Sequence, residues 1–171
     1  MRLHEFLKEV KSVTKKFDRT KRLLGRSAME NLNRSHVAVF GIGGVGGHAV
    51  DALVRSGIGE ITIVDSDDVA ESNINRQLIA TIKTVGRKKV EVMKEHLQDV
   101  NPDVIVHLHD CFFLPETKDQ FDFSKYDYVI DAVDTVTAKL ALVMACQEAN
   151  VPIVSSMGAG NKIDATAFEV P

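Results

Sequence analysis

Short apolar runs alternate along this chain with stretches of helical period. Five runs read as strands: His36-Val-Ala-Val-Phe40, Glu60-Ile-Thr-Ile-Val-Asp65, Val104-Ile-Val-His-Leu-His109, Tyr126-Asp-Tyr-Val-Ile-Asp131 and Val151-Pro-Ile-Val-Ser155. Between and before them the apolar positions recur at helical spacing. Leu3, Phe6, Leu7, Val10 and Val13 predict an amphipathic helix over Met1–Val13, and a second short helix is expected around Ser27–Leu32. A helical pattern runs from the glycines after the first strand to Arg55, a short helix is expected over Ser72–Ala80, and a longer one over Val85–Val100 is ended by Asn101-Pro102. Ala138–Ala149 reads as the last helix, and Ala165–Val170 begins what reads as another strand. Strands alternating with helices predict an α/β chain: a Rossmann-like, doubly wound, mostly parallel sheet, residues 36–171, preceded by an N-terminal helical arm, residues 1–35.

The join between the first two strands carries chemistry. Gly41-Ile-Gly43-Gly44-Val-Gly46-Gly47 follows a strand and opens a helix. Gly41 permits a tight turn, Gly43 lets a phosphate approach the backbone, and Gly46 lets the helix pack closely on the strand. The amides and dipole at the helix start attract an anion. Asp65 closes the second strand 24 residues after Gly41, where a carboxylate accepts hydrogen bonds from a ribose. A nucleotide site follows, but NAD and ATP both fit it. Ser72-Asn73-Ile-Asn75-Arg76-Gln77, with Lys88 and Lys89 beyond, discriminates. A nicotinamide site needs no such cluster of cation and amides, whereas splitting a triphosphate requires charge neutralisation as pyrophosphate leaves. A surface ion pair is the alternative for Arg76. Asp134 lies just past the fourth strand, where open α/β sheets bind ligands, and a carboxylate there can hold Mg²⁺ against phosphates. Asp131 reads as structural.

These motifs resemble the ubiquitin-activating-type adenylating family, which includes the molybdopterin- and thiamine-pathway activators. Gly41-Ile-Gly-Gly-Val-Gly46, Asp65-Ser-Asp67, Ser72-Asn-Ile-Asn-Arg-Gln77, Val85-Gly-Arg-Lys-Lys89 and Asp131-Ala-Val-Asp134 fall in that family's order and spacing, across roughly residues 17 to 170. Within it, Phe17-Asp-Arg-Thr20 with Leu23-Leu-Gly25, Thr84-Val-Gly86 and Gly158-Ala-Gly160-Asn-Lys-Ile-Asp164 are most similar to the branch of tRNA threonylcarbamoyladenosine dehydratases. The resemblance implies an ATP-dependent enzyme that adenylates a carboxylate, with ATP and Mg²⁺ as cofactors and tRNA as substrate. It implies a homodimer in which Arg19 enters the partner's ATP site as an arginine finger. Ordinary surface solvation is the alternative for Arg19. It also implies phosphate contacts from Lys89, Arg76 and Asn73, nucleotide contacts from Gly41, Gly43, Gly44, Gly46, Asp65, Asp67 and Ser72, and Asp134 as the Mg²⁺ ligand. Family members are longer, and their C-terminal part is absent from these 171 residues.

Three further readings remain at this point. One is activation of a ubiquitin-like sulfur-carrier protein's C-terminus, with a sulfur-transfer protein as partner. Another is a nucleotide-binding module without turnover, and an NAD-dependent oxidoreductase is a distant fourth.

Composition narrows the setting. Cys111 and Cys146 form no disulfide framework, no apolar run approaches the roughly 20 residues that span a membrane, and the start lacks an apolar signal core, so a cytoplasmic, membrane-free protein is expected. Net charge is −3, divided as +6 over residues 1–35, −2 over 36–100 and −7 over 101–171. The basic arm fits either a phosphate-backbone contact or a solvated helix face. His107 and His109 point the same way on one strand with Asp110 and Cys111 nearby, but no second ligand pair at recognisable spacing accompanies them. Cys-x-x-Cys is absent as well, which sets the chain apart from sulfur-carrier activators bearing paired zinc motifs of that kind.

Overall fold

The computed structural model describes residues 16–158 and residue 164. The expected helix over Met1–Val13 and the expected strand over Ala165–Val170 lie outside the described residues. Among the described residues five α-helices and five strands form: α1 Asp18–Leu24, α2 Arg26–Arg34, β1 His36–Phe40, α3 Gly46–Ser56, β2 Glu60–Val64, α4 Lys89–Val100, β3 Ile105–His109, β4 Tyr128–Asp131, α5 Val136–Ala149 and β5 Ile153–Ser155. The strands form one sheet in the order β3-β2-β1-β4-β5, and every pairing is parallel. The chain winds outward from β1 to β3, then crosses back to β4. The winding therefore reverses between β1 and β4, and in such sheets a ligand crevice opens there, beyond the carboxyl ends of the strands.

Both faces of the sheet are covered. Successive residues of β1 point to opposite sides: Val37 and Val39 face α3 and α4, packing with Val50, Val54, Met93 and Leu97. Ala38 and Phe40 face α5 and the segment before β4, packing with Phe113, Phe121, Phe123, Leu142 and Cys146. Phe40 meets Phe113 edge-on at 5.0 Å between ring centroids and stacks on Phe123 at 5.9 Å. Each such fully buried side chain contributes about 1.5–3 kcal/mol relative to exposure.

The described part of the arm, α1 and α2, is docked at the amino ends of β1 and β2, away from the crevice. Gly59 N–H bonds to Leu32 O and Glu60 N–H to Ser35 O, at 3.0 and 3.2 Å. The Met29 methyl and the Phe17 ring lie over the Gly57 turn. Among the described residues, no helix is long and apolar enough to cross a membrane.

Two expected helices differ from what is built. Ser72–Ala80 forms only a 3-10 turn at Glu71–Asn73, followed by further turns, because the Asn73 carboxamide accepts the Ala70 N–H and folds the segment on itself. The helix expected from Val85 starts at Lys89. Gly86 has a φ of +84°, and it exchanges backbone hydrogen bonds with the loop after β2 (Gly86 N–H to Val69 O, Val69 N–H to Arg87 O). An antiparallel bridge between Asp68 and Lys88 holds the chain extended up to the helix start.

Candidate active site

A cavity of about 620 Å³ opens at the carboxyl ends of β1, β2 and β4. Its floor is the glycine turn. Gly41 has a φ of +83°, and a Cβ there would sit 2.7 Å from Ala132 O, so the turn passes tightly under the β4 end. At Gly46 a Cβ would lie 1.8 Å from Gly41 O, which only a glycine avoids, and α3 therefore starts directly against the strand. No side chain caps α3 at Val45, so the amides of its first turn are not engaged by a side-chain oxygen.

Asp65 anchors the turn. Its carboxylate accepts the Ile42 N–H and the Asp67 N–H, each at 2.9 Å. Lys89 opens α4 with its ammonium 2.7 Å from Asp67 Oδ2 and 3.8 Å from Asp65 Oδ1, nearly buried. Lys88 faces away and pairs with Asp68 and Asp110 at 3.2 and 3.4 Å; its hydrogen bond to Asp68 raises the ammonium's pKa. Neighbours on a helix do not share a face, and only the second of the two lysines lines the cavity.

Arg76 lies across the glycine turn with its Cγ over Gly44, and its guanidinium donates to Ser72 O and Asn75 Oδ1 at 2.9 and 3.0 Å. The opposite wall is Ala132, Val133, Asp134 and Thr135 from the β4–α5 junction. Asp134 is exposed to the cavity and accepts a hydrogen bond from Thr135 Oγ1. Beneath them Asp131 is fully buried, where it accepts from Lys139 Nζ at 3.2 Å, from Val133 N–H at 3.1 Å and from the Ser155 hydroxyl. Lys139 also donates to Ser156 O at 2.6 Å. Asp131 thus ties β4, α5 and β5 together under the cavity.

The cavity gathers Gly41, Gly43, Gly44, Asp65, Asp67, Arg76, Lys89 and Asp134. Gly46 lies just behind the turn. Asn73 and Ser72 do not line it: the Asn73 side chain is buried in its own loop, and Ser72 contributes its backbone carbonyl to Arg76. Arg19, on α1, lines a separate recess with Lys16, Asp18 and Arg22.

Other wall residues were not singled out from the sequence. Ser66 lines the cavity with a buried hydroxyl that has no hydrogen-bond partner among the described residues. Cys111, Phe112, Phe113 and Leu114 supply an apolar wall beyond β3. Burial raises the Cys111 thiol above its ordinary value. The available signal was the apolar triplet directly after a strand's carboxyl end.

A buried ammonium, an exposed guanidinium and an exposed carboxylate therefore surround a glycine turn at a helix start. Such a site binds a polyphosphate and offsets its charge. Asp134 with the Thr135 hydroxyl offers hard oxygen donors of the kind Mg²⁺ takes beside phosphates.

Residues 17–171 match the sequence model of the ThiF family. The chain is 46% identical over 154 residues to the tRNA threonylcarbamoyladenosine dehydratase of Bacillus subtilis, covering 90% of this chain and 61% of that protein. It superposes on the crystal structure of Escherichia coli TcdA, a tRNA N6-threonylcarbamoyladenosine dehydratase, in complex with ATP, with a TM-score of 0.87 at 43% identity, covering 90% of this chain and 63% of the other. A wider likeness reaches the ubiquitin-like modifier-activating enzyme 5 of Caenorhabditis elegans, 37% identical over 133 residues, 71% of this chain and 31% of that one. The chain spans about three fifths of the bacterial dehydratases it matches.

Proposed function

The chain belongs to the ThiF family, and from that premise we propose that it is the ATP-binding, adenylating part of a tRNA threonylcarbamoyladenosine dehydratase. One arrangement supports the reading above all: Lys89 and Arg76 flank the glycine turn, with Asp134 facing them from the end of β4. The ATP phosphates lie over Gly41, Gly43 and Gly44 at the start of α3. Two N–H donors already occupy Asp65, but a carboxylate has about four lone-pair sites and still accepts from ribose hydroxyls. Lys89 and Arg76 offset charge on the α-phosphate and on departing pyrophosphate. Asp134 holds Mg²⁺, which supplies further charge neutralisation on the phosphates.

The substrate carboxylate of the threonylcarbamoyl group attacks the α-phosphate, and pyrophosphate leaves. A group of the same side chain then attacks the acyl carbon, AMP departs, and a ring has closed with net loss of one water. No enzyme nucleophile is required. The arm, residues 1–35, serves a homodimer by presenting Arg19 to the site of a second copy, while residues 36–171 form the adenylation domain. Two unpaired thiols and a tRNA substrate suit a cytoplasmic setting.

Cys111 on the cavity wall favours a second reading, in which the same adenylation serves the C-terminus of a ubiquitin-like carrier and a sulfur-transfer partner. Its raised thiol pKa weighs against that role, because the thiolate is the nucleophile. The test incubates threonylcarbamoyladenosine-containing tRNA with ATP and the protein, alone and extended to the length of its relatives, and reads nucleosides by mass spectrometry. ATP-dependent loss of one water is expected. Turnover of a carrier protein without tRNA conversion would favour the second reading, and ATP binding without pyrophosphate exchange on any carboxylate would leave only a binding module.

A further inference from the structure

At the end of the sheet remote from the nucleotide cavity, three potential metal ligands converge from three strands. The register sets His36, the first residue of β1, opposite Glu60, the first residue of β2, and sets Thr62 opposite His107 of β3. Side chains two residues apart share a face, so Glu60 and Thr62 stand beside both histidines. His107 Nε2 lies 2.6 Å from Glu60 Oε1, and His36 Nδ1 lies 3.6 Å from the same oxygen. One ligand atom from each residue falls within 4.8 Å of the other two.

The second ring nitrogen of His36 has a partner as well. His36 Nε2 is 2.8 Å from the hydroxyl of Thr62, which is buried. A bond from Nε2–H to that hydroxyl leaves the Nδ1 lone pair facing Glu60, the outer-shell device that orients a ligating imidazole. The Tyr126 ring meets His36 edge-on at 5.0 Å, and the His36 N–H is held by Asp127 at 2.7 Å. The histidine is therefore fixed in place, while Glu60 and His107 are more exposed and able to adjust.

Ligand atoms about 2.1 Å from a tetrahedral ion stand about 3.4 Å apart. The His36–Glu60 spacing already matches, and the Glu60–His107 contact need open by less than about 1 Å. Two imidazoles and one carboxylate suit a borderline transition metal, with a remaining position for water, rather than Mg²⁺ or Ca²⁺.

We infer that His36, Glu60 and His107 form a three-ligand site for a divalent transition metal of the Zn²⁺ class, which clamps β1, β2 and β3 together at the sheet end opposite the nucleotide cavity. The strand register assembles the site only in the folded protein, so metal binding stabilises the fold by mass action. The strand length from His36 to Gly41 of the glycine turn, about 16 Å, keeps the ion away from the phosphates.

The test titrates Zn²⁺ alone into chelator-treated protein by calorimetry, repeats the titration with Co²⁺ read by visible absorption, and follows thermal unfolding in parallel. The expected result is one ion per chain, with the melting temperature raised by roughly 5 °C at a hundredfold excess over Kd. His107→Ala and Glu60→Gln should each weaken binding at least tenfold and abolish the thermal shift, while melting close to the parent without metal. Binding of equal affinity and stoichiometry in His107→Ala would place the ion elsewhere and overturn the assignment. So would a parent protein that binds no ion at millimolar Zn²⁺.

Discussion

The Lys89 ammonium stands 2.7 Å from Asp67 Oδ2 with 5% of its side chain exposed, at the first turn of α4 and at the edge of the cavity. A cation at a helix start opposes the helix dipole. It is retained there between two carboxylates, Asp65 and Asp67. Replacing it as Lys89→Met removes a charge-assisted hydrogen bond and leaves both acids without their cation. The expected cost is about 2 kcal/mol of stability, together with at least a hundredfold loss of ATP–pyrophosphate exchange. Chemical denaturation and the exchange assay measure the two separately. Unaltered exchange would remove Lys89 from the chemistry and leave it a purely structural role.

Arg76 and Asp134 are exposed to the cavity, and their recorded partners are local. Arg76→Ala and Asp134→Ala should therefore change stability by less than about 0.5 kcal/mol, yet each should abolish ATP–pyrophosphate exchange. A variant that unfolds at the parental denaturant midpoint and exchanges at the parental rate would exclude that residue.

The glycine turn separates packing from ligand access. Gly46→Ala drives a methyl group into Gly41 O, 1.8 Å away, and should cost about 3 kcal/mol or more. Gly44→Ala places its methyl 3.5 Å from Arg76 Cγ, an ordinary contact. The fold should tolerate that change while ATP affinity falls, because the methyl stands where the phosphates pass. Calorimetric ATP binding beside a melting curve distinguishes the two variants; equal melting temperatures for both would refute the packing argument.

Cys146 is fully buried in the Phe40 layer, and burial pushes its thiol up to about 11. At pH 8 it is protonated and enclosed, so a thiol reagent should leave it unlabelled until the protein unfolds. Its reactivity should appear only as pH rises toward 11. Cys111, half-buried on the cavity wall, should be the one thiol labelled in the native protein, slowly, and more slowly with ATP present. Rapid labelling of two thiols at pH 8 would contradict this placement.

The first half of the nucleotide site was legible because it is local. β1, the glycine turn, α3, β2 and Asp65 follow one another within thirty residues, and each leaves a period or a glycine in the sequence. The segment between β2 and α4 was misread as helical at Ser72–Ala80 and Val85–Lys88, although its apolar spacing is helical. Side-chain capture of the Ala70 N–H by Asn73 and the positive φ of Gly86 overrode that spacing. The cluster of His36, Glu60 and His107 was not legible. The sequence offered only His107 and His109 on one strand, whereas the structure joins His107 to residues of two other strands through the sheet register. The apolar wall from Cys111 to Leu114 was missed for the same reason: nothing local says that a loop after β3 reaches over the end of β4.

The reversal of winding between β1 and β4 also sets a clock. The His36 N–H waits for Asp127, 91 positions later. At ribosomal speeds of 5–20 residues per second, about 5 to 20 seconds separate the emergence of the central strand from that of its second neighbour. Through that interval the nascent chain holds Val37 to Phe40 with one edge unpaired, a template for pairing with a stranger. Slower synthesis of the residues between β1 and Asp127 lengthens the time for which that edge stays open.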